Sequence, residues 1–325
     1  MRYYARHAAL AALLLAGCSA APPGPGPAPA GVPDPGRPLR LVFITCAVDA
    51  PFFVPVKQGM RDAAGMLGVA CEFTGTPGVD VKAQAEMVRK AVAGKVDGIA
   101  LNIIDPAAFD DAVKEAVAAG VPVVAFNVDD PATPNARLAA VCQRFPEAGR
   151  ALARHVAPHL PAGSRVLFTQ HDKGVSALDE RLRGLQEGLK EKGVTGEVIV
   201  TGNVSAKGAE VVAEALRKDP SIRAVLGTGQ SDTEAAGLAI EKHFAGKGIW
   251  SAGFDMSPTT LRLVRAGCIR ATVDQQPYVQ GFLPVVLLVQ HLRYGLRPSD
   301  VDAGAAIIDR TNVDRVEELT RRGYR

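Results

Sequence analysis

From Leu39 onward, short β-rich runs alternate with stretches whose apolar residues recur at helical spacing. Parallel strands need long crossover connections, and an amphipathic helix is the usual one. This alternation therefore predicts βαβ units and parallel sheets. Strands are expected at 39–46, 70–74, 97–101, 122–127 and 138–142, with helices at 53–67, 81–93, 106–119 and 146–159. The pattern then starts again at Arg165. Strands at 165–169, 197–201, 224–227, 249–254 and 269–273 alternate with helices at 177–191, 206–218, 233–244 and 258–266. A long helix at 278–293, a strand at 305–310 and a short helix at 313–321 close the chain. The expected fold is α/β, with two doubly wound parallel-sheet lobes joined by hinge strands. The lobes are expected at 39–142 plus 277–304 and at 143–276 plus 305–325.

The N-terminus obeys different rules. Arg2 and Arg6 precede an apolar run from Ala8 to Ala16, the layout of a secretory signal peptide. The run falls short of the roughly 20 residues that a spanning helix needs. It ends in Leu15-Ala16-Gly17-Cys18, which looks like a bacterial lipobox with Cys18 as the acylated residue. A plain signal peptide with an incidental cysteine is the alternative. Residues 19–38 are nearly all Ala, Pro and Gly. Such a segment buries too little apolar surface to order itself and serves as a semi-extended tether. Residues 1–18 are thus expected to be a lipoprotein signal peptide, and 19–38 a tether to a membrane facing the periplasm or cell exterior.

About 285 residues remain, enough for one large or two medium domains. The formal charge is +3 with both signs interspersed, so nothing favours nucleic acid or an anionic membrane surface. Cys46, Cys71, Cys142 and Cys268 have no metal-ligand spacing, and the six histidines form no cluster with them. No helix opens on Gly-x-Gly-x-x-Gly, and neither a Walker loop nor a Gly-x-Ser-x-Gly elbow occurs. No catalytic residue, metal or cofactor is expected, and the chain is not expected to be an enzyme.

Polar residues gather where strands end: Asp49 before Phe52 and Phe53, then Asn127, Asp129 and Asp130, then Gln230, Ser231 and Asp232. Asp255 and the run Asp274-Gln275-Gln276 follow two later strands. Ligands of open parallel sheets bind beyond those carboxyl ends. Carboxylates, amides and a guanidinium can bind vicinal hydroxyls in pairs, and aromatic rings can cover a sugar's CH face. The mixture suits a sugar.

Taken together, Pro51-Phe52-Phe53 with Lys57 and Gly59, Asp97-Gly98-Ile99, Gly120 to Val124, Arg181 to Gly184, Gly253-Phe254-Asp255 and Ala271 to Pro277 carry a resemblance. The chain resembles the type I periplasmic binding proteins of sugar ABC importers, the ribose-binding-like group, over roughly 39–310. The resemblance implies that Phe52 and Phe53 lie near a sugar ring and that Asn127 takes a position where aspartate is common. It implies that Arg181 reaches ligand hydroxyls, and that Asp255, Gln275 and either Ser231 or Gln230 are hydrogen-bonding partners. Ala50 and Val128 replace an asparagine and an arginine of the ribose pattern, with Asp129 as a partial substitute, so a sugar other than ribose is implied.

Each residue also has a structural alternative. Phe52 and Phe53 can staple the first helix, Asp255 can cap the helix near Pro258, and Asn127 can form a turn. Arg181 can make an exposed ion pair. His171, Asp172, Asp179 and Glu180 are taken as surface residues. A lactose-repressor-type regulator shares the two-lobed core but needs a helix-turn-helix where the signal and tether stand. The expected function is capture of a sugar or sugar-like small molecule by a monomeric, lipid-anchored binding protein. It would close at hinges near 142–143, 275–277 and 303–310 and dock on an ABC permease, or present the ligand to a chemoreceptor or sensor kinase.

Overall fold

The computed structural model describes residues 37–105, 107–129 and 135–325. The expected signal peptide, Cys18 and all but the last two residues of the tether lie outside them. In chain order the first elements are β1 (Arg40–Thr45), α1 (Phe53–Leu67), β2 (Ala70–Gly75), α2 (Val81–Ala93), β3 (Gly98–Leu101), α3 (Asp110–Ala118), β4 (Val123–Asn127) and β5 (Ala139–Cys142). Then come α4 (Phe145–Val156), β6 (Arg165–Gln170), α5 (Ser176–Leu189), β7 (Thr195–Val200), α6 (Ser205–Lys218) and β8 (Ile222–Gly227). The chain continues through α7 (Gln230–Ala239), β9 (Trp250–Phe254), α8 (Pro258–Ala266), β10 (Ile269–Asp274) and α9 (Pro277–Tyr294). It ends with β11 (Val301–Asp302), β12 (Ala306–Asp309) and α10 (Val313–Arg321).

These strands make two six-stranded sheets, ordered β11-β5-β4-β3-β1-β2 and β12-β10-β9-β8-β6-β7. All pairings are parallel except β10 with β12. The doubly wound order thus occurs twice, once in each sheet, and in each the strand order reverses beside the first strand. The central strands are short apolar runs such as β3 (GIAL) and β4 (VVAFN), buried at every position, because helices cover both faces. The edge strand β7 is exposed or half-buried throughout.

Several elements differ from the sequence expectation. Helix α3 begins at Asp110, four residues later than expected. Helix α7 begins at Gln230 and passes into a π-turn at Ile240–Phe244. Strand β11 was not anticipated, since two residues carry no periodicity. The four cysteines among the described residues are unpaired.

Helix pairs hold each lobe together at glycines. A Cβ on Gly59 would stand 2.1 Å from the Tyr278 carbonyl oxygen, and one on Gly281 would stand 1.9 Å from that of Val56. Helices α1 and α9 therefore touch backbone to backbone. Gly149 and Gly184 make the equivalent approach between α4 and α5, and this contact seats the middle of α5, where Arg181 lies.

The chain passes between the sheets after β5, after β10 and between β11 and β12. Helix α4 lies against β9 and β10, whereas α9 lies against β3, β4 and β5. Gln143 Nε2 donates to the Gly304 carbonyl at 2.8 Å, and Gln276 Nε2 donates to the Ala303 carbonyl at 2.7 Å. The three crossings are thereby bonded to one another. Replacing Gly281 with Ala should push α1 from α9 and cost about 1–3 kcal/mol or more. A lowered urea midpoint with an unchanged slope is the expected outcome.

Candidate ligand-binding site

Two strand ends and one crossing leave their sheets by the same device. Asn127, Asp255 and Gln276 adopt left-handed backbone with φ of 64°, 68° and 54°. Asn and Asp tolerate this region because their side chains bond locally; such strain collects at functional sites. At Asn127 the reversal sends Val128 into the core, where it is 5 % exposed. Position 128 therefore packs the first lobe, which accounts for an apolar residue there.

A directional chain of amides joins the strand ends. Asn102, just past β3, donates from Nδ2 to Thr45 Oγ1 at 3.0 Å and to Asn127 Oδ1 at 3.1 Å. Asn127 Nδ2 donates to Gln280 Oε1 at 3.1 Å and to Gln275 Oε1 at 3.4 Å. Gln280 Nε2 donates to the Gln275 carbonyl at 2.7 Å. The Asn127–Gln275 bond carries the chain from the first sheet to the second, and Gln275 Nε2 then donates to Asp255 Oδ1 at 2.5 Å. All of these residues are buried, so an unpaired amide here would cost about 1–3 kcal/mol. Asn102 Oδ1 is buried without a hydrogen-bond partner among the described residues.

Arg181 lies in α5 and is 3 % exposed. Its Nε donates to Gln143 Oε1 and one terminal nitrogen donates to the Thr228 carbonyl, both at 3.0 Å. The guanidinium carbon sits 4.4 Å from the Phe254 ring centroid and 5.1 Å from that of Phe145, a cation–π setting. The same terminal nitrogen is 3.8 Å from Asp255 Oδ2. That is an ion pair but too long for a hydrogen bond, so a hydroxyl can bridge the two. Burial pushes the Arg181 guanidinium down from its ordinary value, opposed by Asp255 and Asp232. Burial likewise raises the Asp255 carboxyl, opposed by Arg181 and by the bond from Gln275.

Beside this network lies a pocket of about 30 Å³, room for no more than a few waters. It is lined by Phe52, Pro55, Asp255, Met256, Gln275 and Arg325 among others.

The structure thus brings Asn127, Arg181, Asp255 and Gln275 together and sets Phe52 at the adjoining pocket. Phe53 points elsewhere. It is 4 % exposed in an aromatic core with Phe73 and Phe126, and its ring meets Phe52 edge-on at 5.2 Å. Asp129 accepts from Arg137 at 2.7 and 2.6 Å, and Arg137 also binds Asp300; it is tied within the first lobe. Gln230 and Ser231 open α7 half-buried and join none of the bonds above. The cap of α8 is Ser257, which accepts from the Thr260 amide, so Asp255 is free of that duty. His171, expected at the surface, is half-buried with Nδ1 3.3 Å from Asp232 Oδ1. Sequence reasoning missed Asn102, Gln143, Thr228 and Gln280, because a lone amide or a backbone carbonyl carries no local pattern.

The periplasmic binding protein domain family matches residues 41–296. The xylose/arabinose-binding protein XylF of Sulfolobus acidocaldarius is 28% identical over 309 residues, 90% of this chain and 76% of that protein. The ribose import binding protein RbsB of Bacillus subtilis is 28% identical over 238 residues, 72% of this chain and 75% of that protein. Among solved structures, a carbohydrate transporter from Acidothermus cellulolyticus in complex with myo-inositol superposes with a TM-score of 0.79. It is 29% identical and covers 89% of this chain and 100% of its own.

The raised Asp255 carboxyl has a consequence for stability. A folded pKa above the unfolded value of about 3.9 stabilises the fold fully below that value, and the contribution is lost as pH rises through the folded pKa. The stability of Asp255→Asn relative to the native protein should therefore climb with pH across that window. Parallel urea titrations at several pH values measure it, and a flat difference would contradict the assignment.

Proposed function

The chain belongs to the periplasmic binding protein domain family, and on that premise we propose that it captures a sugar or sugar-like ligand between its two lobes and delivers it to an ABC permease. The observation that carries this is the 3.8 Å gap between the Arg181 guanidinium and Asp255 Oδ2, both buried beside the Asn127–Gln275 bond that joins the carboxyl ends of β4 and β10. Arg181 has five N–H donors, of which two are spent on Gln143 and Thr228. A sugar hydroxyl donates and accepts at once, so it satisfies the carboxylate oxygen and the guanidinium together. The opposite charges balance, which favours an uncharged ligand. Names of the relatives point the same way: xylose, arabinose, ribose and myo-inositol are polyhydroxylated and neutral.

In this proposal Phe52, Asn127, Arg181, Asp255 and Gln275 contact the ligand, and Gln230 and Ser231 form the rim. Phe53 backs Phe52, and Asp129 is held by Arg137. The lobes divide as 39–142 with 277–304 and 143–276 with 305–325, and they part and close about the three crossings. A ligand bridging both lobes stabilises the closed form by its differential contacts with that form. Cys18 anchors the monomer to its membrane through acyl chains, which add about 0.8 kcal/mol per buried CH₂. Replacement of Cys18 by Ser should release the protein from the membrane fraction and abolish labelling by a fatty-acid analogue.

A thermal-shift screen of pentoses, hexoses and cyclitols tests the binding step, because a ligand that favours the folded state raises its melting temperature. One or more neutral sugars should give a saturable shift. Arg181→Lys keeps the charge but loses the fork. It and Asp255→Asn should each weaken binding by about 10- to 100-fold, as expected for a hydrogen bond to a charged group. A flat response to every sugar, or full affinity in both variants, speaks against the proposal.

A further inference from the structure

We infer that Gln143 is a positioning residue: its amide sets the Arg181 guanidinium in the cleft and fixes that setting to the hinge. This rests on the ligand cleft proposed above. Gln143 lies in the first crossing and is 3 % exposed. Its two amide ends face groups of opposite kind. Arg181 Nε can only donate, so Gln143 must present Oε1 to it, at 3.0 Å. Its Nε2 is thereby turned to the Gly304 carbonyl, which can only accept, at 2.8 Å. The orientation of the amide is thus dictated by both neighbours.

The surrounding geometry makes the coupling specific. Two residues beyond Gln143, the Phe145 ring covers the guanidinium carbon at 5.1 Å. One crossing segment therefore supplies both an edge contact and a face contact to Arg181. Gly304 lies in the third crossing with φ of 89°, and a Cβ there would stand 3.0 Å from Gln276 Nε2. Gln276, in the second crossing, donates to the Ala303 carbonyl. Adjacent carbonyls of the third crossing are consequently held by glutamines of the first and second. A rotation of the hinge strands must displace the Gln143 amide, and with it the partner of Arg181 Nε.

Gln143→Leu keeps the approximate volume but removes both bonds, and Gln143→Glu keeps the acceptor facing Arg181. If Gln143 merely filled space, Leu would serve and a buried Glu would not. Positioning predicts the reverse order of affinity: Q143L should bind D-xylose or myo-inositol about 10-fold or more weakly than the native protein, and Q143E should retain more of the affinity. Q143L binding at native strength, or equal losses in both variants, would overturn the inference. A ligand-free measurement separates this from the functional proposal. The Arg181 Nε–H resonance should exchange with solvent slowly in the native protein and at least about 10-fold faster in Q143L, since the bond holding it is gone. Equal exchange would refute positioning even where no sugar binds, whereas fast exchange in Q143L with no sugar bound would leave positioning standing and remove the sugar.

Discussion

A guanidinium 3 % exposed and a carboxylate 7 % exposed, 3.8 Å apart, set the terms for the rest of this protein. Taking either charge out of water costs several kcal/mol, and their mutual attraction offsets that only with good geometry and further hydrogen bonds. The surroundings supply those bonds. Gln143 and Thr228 accept from Arg181, aromatic rings cover its faces, and Gln275 donates to Asp255. The distance that remains between the charges is an incompletely satisfied interaction. Under the function proposed above, a ligand hydroxyl completes it, which makes the polar core selective as well as stable.

Amides transmit this requirement to both lobes. Asn102, Asn127, Gln280 and Gln275 pass donor to acceptor in one direction from the end of β3 to the second sheet. Asn127, Gln280 and Gln275 each use both a donor end and an acceptor end, so flipping any of them breaks bonds on both sides. Left-handed turns at Asn127 and Asp255 put these side chains at the strand ends instead of along the sheet. The backbone strain is tolerated because the network and the buried strands over-determine the conformation.

Family membership explains the architecture, and local chemistry explains how this chain departs from the ribose pattern. Val128 packs the core because the turn at Asn127 leaves it facing inward. Asp129 is spent on Arg137. An amide at 127, not a carboxylate, lets one side chain accept from Asn102 and donate to Gln280. The first lobe thus offers the cleft a neutral, amide-rich wall, while the second contributes the charged pair.

Strand and helix positions were legible in the sequence because periodicity is local: α1, α2, α8 and α10 occupy the residues that their spacing indicated. Two doubly wound lobes followed from the repeated alternation, and the polar character of the strand ends from simple inspection. Tertiary structure alone decided which of those polar residues meet. Asn127 and Gln275 are 148 positions apart, and no window of sequence records their encounter. It also separated Phe52 from Phe53, neighbours with opposite directions: one ring lines the pocket and the other fills the core. Gln143 was visible only as part of a crossing, since an isolated amide has no signature until a buried arginine and a backbone carbonyl stand on either side of it. The sequence by itself determined the elements and their order, through contacts within a few turns of chain. The fold decided the chemistry of the cleft, through pairings between residues that only the two sheets and their crossings bring within hydrogen-bond reach.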